Sequence, residues 1–396
     1  MASPNDRVFY ACQGVSIQNH GYADDVATSE MIHGLQSVGV TTNFSLEQAF
    51  ELGQIEIYEN IEGTPDVEVT LEKVLDGYPL IYHLATAGIG ASGPSGLVNR
   101  SKQRCDVRLG IFPEESNFIN SASAADGAPA EVYMSGMYVS SISYSLSTDG
   151  SSTESVPLVG NNKQWFDNSD GKMQQSSVAN FDGTDEPLGL GLSSRPSGGI
   201  TQKENILLSG CIFPQTIQGI AGSGYANGVG KIHAQSISVS TDFSREDIFE
   251  LGRKTPYARP AAYPIEVTCD IEAITTSGDF VNAFEEGDTS LHATLDSGNN
   301  TQNECIFIFT QNGLGLDLGG KNRLSSVSYG GGDAGGGNAT CTYSYINYND
   351  LDVQMGANGY IGFNALKEFA GMTGPINARK SRDGNGEPFP DGLYTP

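Results

Sequence analysis

One stretch of sequence that occurs twice constrains the fold of this chain most strongly. Residues 36–53 read QSVGVTTNFSLEQAFELG, and residues 235–252 read QSISVSTDFSREDIFELG. The two copies share their first and last residues and much of the sequence in between. Self-similarity of this kind indicates a repeated structural unit. The 396 residues are therefore expected to form two related domains.

Each copy predicts a β-strand that runs into a capped helix. Val38 and Val40 alternate with polar residues, which is the pattern of a half-buried strand. Ser45 then stands at an N-cap position with Gln48 in the place of a capping-box partner, and Gly53 is placed to end the helix in the left-handed conformation. The second copy carries the same signals: Ile237 and Val239 in the strand, Ser244 and Asp247 at the cap, a hydrophobic staple between Phe243 and Ile248, and Gly252 at the end.

Further segments repeat in the same order and predict the remaining strands of the unit. The matching pairs are 7–17 with 206–217, 67–72 with 265–272, 104–112 with 304–309, 139–144 with 324–329, and 155–159 with 340–344. This order predicts a first domain at residues 1–160, an insertion or linker at 161–202, a second domain at 203–350, and a C-terminal helix and arm at 351–396, with the helix at 361–372.

Composition favours an all-β protein and argues against simple nucleic-acid binding. The chain has 50 glycines, and its formal net charge is −26. Between Val8 and Asn99 the only lysine or arginine is Lys73, which is too little positive charge for a protein that grips phosphates. The first residues lack the basic and apolar regions of a secretory signal, so cytoplasmic synthesis is expected.

The six cysteines have no metal-binding spacing and are expected to be mostly buried thiols. Cys12 and Cys105 have counterparts in Cys211 and Cys305, so these pairs mark equivalent core positions at least as well as they mark disulfides. The sequence leaves open whether any of them are oxidised.

The sequence contains no complete motif for nucleotide binding, metal binding or catalysis. The GIGASG segment at 88–93 is followed by proline where a phosphate-binding helix would begin. The five histidines are scattered, and segments 167–172 and 383–387 lack the register of a calcium loop. The chain is therefore expected to be no enzyme and to need no cofactor or metal.

The repeated motif resembles the tail tube proteins of long-tailed bacteriophages. The resemblance rests on the order strand, F-S-x-x-x-x-F-E-L-G, proline and an E-V-T strand, and it covers both halves of the chain. It implies two β-sandwich or barrel domains, each with one short flanking helix, in rings that stack into a conduit for DNA ejection. Two units per chain imply three chains per pseudo-sixfold ring. The implied location is the virion tail, with assembly in the host cytoplasm.

The resemblance also implies partners and surfaces. The partners are other copies of the chain, tail proteins such as a baseplate hub, sheath or terminator, and double-stranded DNA that passes without specific binding; no membrane insertion is expected. Candidate lumen residues, on the polar faces of the repeated strands, are Ser37, Thr41, Glu68, Thr70, Glu72, Ser236, Ser238, Ser240, Glu266, Thr268 and Asp270. Candidate inter-subunit residues, of opposite charge in the two copies, are Glu56, Glu59, Glu62, Arg253, Lys254 and Arg259.

Three other functions remain open from the sequence. One is a baseplate hub or a tube-initiating ring, which would stop at a single ring. Another is a two-domain module that binds carbohydrate or a cell surface through aromatic residues, with Trp165, Tyr343, Tyr345 and Tyr348 as candidates. The third is a hydrolase whose histidines and acids come together only in the fold. The sequence does not distinguish a contractile tail from a non-contractile one.

Overall fold

The computed structural model describes residues 8, 10–20, 30–53, 55–86, 96–112, 130–167, 200–206, 211, 213–214, 217, 233–275, 278–279, 281, 304–310, 314–332 and 337–355. The strands of the first half are β1 (Gln13–Asn19), β2 (Glu30–Met31), β3 (Leu35–Phe50), β4 (Ile57–Val74), β5 (Cys105–Ile111), β6 (Ala130–Val139), β7 (Ser141–Ser147), β8 (Thr153–Gly160) and β9 (Gln164–Asp167). Those of the second half are β10 (His233–Asp242), β11 (Glu266–Ile274), β12 (Phe307–Phe309), β13 (Leu314–Asp317), β14 (Arg323–Gly330), β15 (Thr340–Tyr348) and β16 (Asp352–Met355). The α-helices of the described residues are α1 (Ile81–Ala85) and α2 (Leu97–Arg100). The predicted all-β class is confirmed.

Four strands in each half form a sheet with corresponding order. The first half has the order β3-β4-β8-β7, and the second half has the order β10-β11-β15-β14. All neighbouring pairs are antiparallel. The two sheets join because β7 pairs with β10, from Ser141 opposite Asp242 to Ser147 opposite Ser236. The result is one continuous run of eight strands that crosses from one half to the other.

A second layer covers the apolar face of each sheet. In the first half it has the order β2-β1-β5-β6, with β9 on β6, and β6 also reaches β8 through Tyr138 opposite Val159. In the second half it has the order β12-β13-β16. The strand alternation places one set of side chains between the layers. The core includes Val69, Leu71, Leu158, Val267, Cys269, Ile271 and Tyr345, all at most 1% exposed.

The short helices close the first half and connect it to the second. Every residue of α1 is buried, and the helix packs on β1, β5, β6 and β8. The His83 ring donates from Nε2 to the carbonyl oxygen of Val353 at 2.9 Å. The amide of Leu97 donates to the carbonyl oxygen of Leu351 at 3.1 Å. Both acceptors lie in the second half, so the halves share polar contacts besides the joined sheet.

The helix predicted in the first copy of the repeated stretch is wrong. β3 continues through Ser45 and Gln48 to Phe50 and pairs with β4, with register shifts along the ladder. Local capping signals are weak relative to pairing with an adjacent strand, and the long β4 supplies that partner. Gly53 does have a positive φ, of 95°, but in a turn that follows a strand rather than a helix.

The second predicted helix is also wrong, but its replacement is less regular. β10 ends at Asp242, and the chain continues through isolated bridges that pair Arg245 with Ala261 and Ile248 with Ala258. The returning segment contains Pro256, Pro260 and Pro264, which donate no backbone hydrogen bond and therefore interrupt a continuous ladder.

Several sequence predictions concern residues that the structure does not describe. These are the GIGASG segment at 88–93, His292, the segment at 383–387, the C-terminal helix at 361–372, and most of the insertion at 161–202. The prediction of buried cysteines is confirmed for Cys12, Cys105, Cys211, Cys269, Cys305 and Cys341.

Candidate assembly surfaces

The polar sides of the eight joined strands form one surface, here called the hydroxyl face. All eleven predicted lumen residues lie on it, and each is exposed or half-buried. Ser37 donates to Glu72 at 3.3 Å, and Ser236 donates to Glu272 at 3.1 Å. The two bonds connect corresponding strands in the two halves, so the predicted residues recur in the same arrangement.

Sequence reasoning missed part of this face. Ser141, Ser143, Ser145 and Ser147 of β7 lie opposite Asp242, Ser240, Ser238 and Ser236 of β10. The alternation SISYSLS in β7 is the signal that identifies these serines. Glu272 was missed because the sequence match aligned Glu72 with Asp270. The ladders show that Glu72 corresponds to Glu272, two residues further along β11. An open cleft of about 610 Å³ crosses the joint between the halves. It is lined by residues of β7, β10 and β11, most of them hydroxyl or acidic, and by Ala262, Tyr263 and Pro264 before β11.

The joint between β7 and β10 is an apolar contact on its other side. Tyr144 lies opposite Val239, Leu146 lies opposite Ile237, and all four side chains are at most 3% exposed. Phe243, which follows β10, is completely buried, and its amide donates to the carbonyl oxygen of Ser140 at 2.9 Å. We call this contact the internal junction.

The two ends of the eight-stranded run are open edges. Within the described residues, β3 pairs only with β4, and β14 pairs only with β15. Tyr329 on β14 is 54% exposed, whereas Tyr144, its counterpart on β7, is 1% exposed. Phe44 on β3 is 71% exposed, whereas its counterpart Phe243 is buried. The two open edges therefore expose the aromatic positions that are buried at the internal junction.

Two arms extend from the sheet where the helices were predicted. The first arm, residues 44–63, is a two-stranded extension of β3 and β4. The second arm, residues 243–263, contains the isolated bridges. Both carry exposed apolar side chains: Phe44, Leu46, Phe50, Leu52, Ile55, Ile57, Tyr58 and Ile61 on the first, and Ile248, Phe249, Leu251, Tyr257 and Tyr263 on the second. Apolar exposure on this scale marks an interaction surface.

The charged candidates on the arms differ in their availability. Glu56, Glu59 and Glu62 are exposed on the first arm. Arg253 and Lys254 are exposed near the tip of the second arm, where Arg253 also donates to Glu250 of the same arm at 3.1 Å.

Arg259 is instead 7% exposed and already bound within the chain. It contacts Asp66 at 2.9 Å and Asp247 at 2.6 Å. Thr64 Oγ1 also donates to the carbonyl oxygen of Lys254, so the second arm lies against the base of the first.

A buried polar cluster holds α1 in place beneath the sheet. The Glu154 carboxylate accepts from the amides of Ile81 and Tyr82 at 2.7 and 3.2 Å, and from the Tyr144 hydroxyl at 3.0 Å. Burial raises the pKa of Glu154, while Lys73 and these donors oppose the rise. The cluster satisfies buried polar groups and positions a core tyrosine of the internal junction.

His83 is held neutral in the same region. Burial, assisted by the Arg100 charge, lowers its pKa to about 3. A histidine with such a low pKa cannot act as a proton donor near neutral pH, so its position favours a structural role.

The aromatic residues named for a carbohydrate-binding module are divided between the core and the surface. Tyr343 and Tyr345 are at most 1% exposed, so they lie apart from the exposed Trp165 and Tyr348 and form no common aromatic surface. His20 donates to Asp106 at 2.8 Å.

Asp106 also accepts from Tyr133 at 2.9 Å and from the amide of Gly136 at 2.7 Å, which fixes the carboxylate in the fold. In the part of the chain that is described, no three or more His, Cys, Asp or Glu residues gather in a metal-binding arrangement. No helix among these residues is long and apolar enough to span a bilayer.

Comparisons with known proteins give partial structural similarities only. No protein-family model matches the sequence, and no curated protein matches it. Over 42% of its length the chain is similar to 99% of the tube-terminating cap of the anti-feeding prophage, at 12% identity and a TM-score of 0.26.

Two further solved structures are similar over 41% of this chain. One is from the sheath-tube complex of an extracellular contractile injection system, with 92% of that chain covered, 11% identity and a TM-score of 0.26. The other is Hcp1 from Salmonella typhimurium, with 98% of that chain covered, 14% identity and a TM-score of 0.19.

Proposed function

We propose that this protein is a structural subunit of a phage tail tube. Three chains close into a ring with six sheet units, rings stack into a hollow rod, and the rod conducts DNA during ejection without catalysing a reaction. Residues 1–160 and 203–350 each supply one unit.

The observation that carries the proposal is the internal junction. Two sheets of corresponding strand order meet edge to edge within one chain, and each keeps one edge open at the far end. An open edge with exposed apolar residues invites further pairing, and a closed ring removes every such edge. The chain thus contains one complete contact between sheet units, at β7 and β10, and two open edges, β3 and β14, that could form the same contact with neighbouring chains.

The hydroxyl face supports assignment as the lumen. It combines serine and threonine hydroxyls with the carboxylates of Glu68, Glu72, Glu266 and Asp270. The chain as a whole carries a net charge of −26. Among the described residues on this side of the eight strands, Arg323 of β14 is the one lysine or arginine. The wall therefore offers DNA phosphates almost no cationic partners, and DNA passes it without being held.

The arms support stacking of rings rather than a single terminal ring. Both extend beyond the paired core of their sheets with exposed apolar residues, and they carry opposite exposed charges at Glu59 and Arg253. A first arm that meets a second arm of the next ring buries apolar surface and pairs these charges. This favours a repeating tube subunit over a hub.

Electron microscopy and native mass spectrometry of the purified full chain test the proposal. We expect hollow rods of indefinite length, and rings with three times the 41.9 kDa mass of one chain. A monomer at every concentration refutes the tube assignment. Six chains per ring refute the stoichiometry, and isolated single rings refute stacking.

A further inference from the structure

The internal junction contains a template for the contact between chains. We infer that β3 of one copy pairs antiparallel with β14 of a second copy in the register that β10 has with β7. This places Thr41 opposite Ser328 and Val40 opposite Tyr329 of the second copy. The inference rests on the proposed self-association and specifies which residues make it.

The register follows from corresponding positions in the two sheets. Ser240 lies opposite Ser143 at the internal junction, and Val239 lies opposite Tyr144. The repeated sequence relates β10 to β3 and β7 to β14, so these four residues correspond to Thr41, Ser328, Val40 and Tyr329.

The ladders support the same correspondence independently of the sequence. In each sheet, a row of opposing residues can be followed from the valine across the next two strands. The two rows are Val40 opposite Val69 and Val69 opposite Leu158 in the first sheet, and Val239 opposite Cys269 and Cys269 opposite Tyr345 in the second. Four residues before Leu158 is Glu154, which faces Tyr144, and four residues before Tyr345 is Cys341, which faces Tyr329. Tyr144 and Tyr329 therefore occupy the same place in their sheets.

Exposure identifies the occupant of the open edges as a second copy. Phe243 and Tyr144 are both buried at the internal junction, whereas their counterparts Phe44 and Tyr329 are 71% and 54% exposed at the two ends of the eight-stranded run. The open edge of β3 lacks a neighbouring strand with a tyrosine, and the open edge of β14 on another copy supplies one. A different partner protein would need to reproduce both surfaces, whereas another copy already carries them.

The two polar faces also match in the inferred register. Thr41 and Ser328 are both exposed, as expected for positions on the hydroxyl face. Their pairing continues the row of small hydroxyl residues that crosses the internal junction at Ser143 and Ser240. The hydroxyl face is then uninterrupted from one chain to the next.

Engineered cysteines test the register in the full chain. We expect Thr41→Cys with Ser328→Cys to form a covalent bond between chains on mild oxidation, which appears as a ladder on a nonreducing gel. The matched control is Ser143→Cys with Ser240→Cys, which has the same geometry within one chain and sets the attainable yield. A second control, Thr41→Cys with Ser326→Cys, is two residues out of register, where Cα atoms across the pair are too far apart for a disulfide.

The expected result is a between-chain yield within about twofold of the within-chain pair and about fivefold above the out-of-register pair. A higher yield for the Ser326→Cys pair overturns the register. Rings or rods in micrographs without any covalent ladder overturn the edge pairing but leave the tube assignment intact. A protein that stays monomeric overturns both, so the two failures are distinguishable.

Discussion

Two tyrosines at corresponding positions separate folding from assembly. Tyr144 is 1% exposed at the internal junction, and Tyr329 is 54% exposed at the open edge of β14. Replacing either by alanine removes the same side chain from the same place in its sheet. We expect Tyr144→Ala to weaken the fold and Tyr329→Ala to weaken the contact between chains.

The expected magnitudes follow from burial. Truncating a fully buried aromatic residue to alanine costs about 3–5 kcal/mol. Tyr144→Ala should therefore lower the free energy of unfolding by that amount. Its loss also leaves the Glu154 carboxylate without the hydroxyl donor at 3.0 Å. Tyr329 has roughly half of its surface left to bury, which gives about 1–1.5 kcal/mol at each between-chain junction. That free energy corresponds to a contact about tenfold weaker.

Thermal unfolding and sedimentation measure the two effects separately. Tyr144→Ala should lower the melting temperature at concentrations where the chain is monomeric. Tyr329→Ala loses only the half of the side chain that is already buried in the monomer, so it should lower that temperature less than Tyr144→Ala does and raise the concentration needed for rings about tenfold. A loss of monomer stability in Tyr329→Ala as large as that in Tyr144→Ala, or unchanged assembly, would refute the correspondence of internal and open edges.

Two further predictions concern the region beneath α1 and the arms. Because the pKa of His83 is lowered from 6.5 to about 3, the folded state favours the neutral ring, so its contribution is complete above pH 6.5 and declines as pH falls toward 3. Lowering the pH from 6.5 to 5 should therefore reduce the free energy of unfolding by about 1.5–2 kcal/mol more in the unmodified protein than in His83→Gln, measured by denaturant unfolding; equal losses contradict the assignment. Leu52→Asp, at a fully exposed arm position, should leave unfolding within about 0.5 kcal/mol and shorten rods to single rings in micrographs, and rods of normal length contradict a stacking role for the arm.

The regular strands were predictable from the sequence because their burial alternates. Val38 and Val40 of β3, and Ile237 and Val239 of β10, point to the core side as the period-two pattern predicts. The hydroxyl face followed from the same alternation. These predictions succeed because the pattern reflects burial within one chain.

The arms were mispredicted because their signals are local. The Ser45 and Gln48 positions imitate a helix cap, yet a local preference of this size yields to a paired strand. The decisive residue is on the other strand: a Cβ on Gly63 would lie 2.8 Å from the Cβ of Ser45, so glycine permits the close approach at a register shift. Only the pairing between β3 and β4 reveals that role.

The open edges escaped prediction for a different reason. A residue such as Phe44 has the sequence signature of a buried side chain, as its counterpart Phe243 confirms, but the single chain leaves it exposed. In the proposed assembly such a residue becomes buried against a second copy, so its sequence pattern would reflect burial that the single chain does not show. The disagreement between pattern and exposure is itself the signal of an interface.

In the proposed ring, the internal and between-chain junctions are expected to be unequal in strength. At the internal junction, Arg245 donates to the carbonyl oxygen of Val139 at 2.9 and 2.7 Å, and its guanidinium lies 4.9 Å from the centre of the Tyr138 ring. The corresponding residue of the first copy is Leu46, which has no charge and donates no side-chain hydrogen bond. The proposed contact between chains would therefore rely on strand pairing and apolar burial without this arginine. A ring built in this way should open between chains before it opens within one, and whole chains with both sheets joined are the species that dissociate.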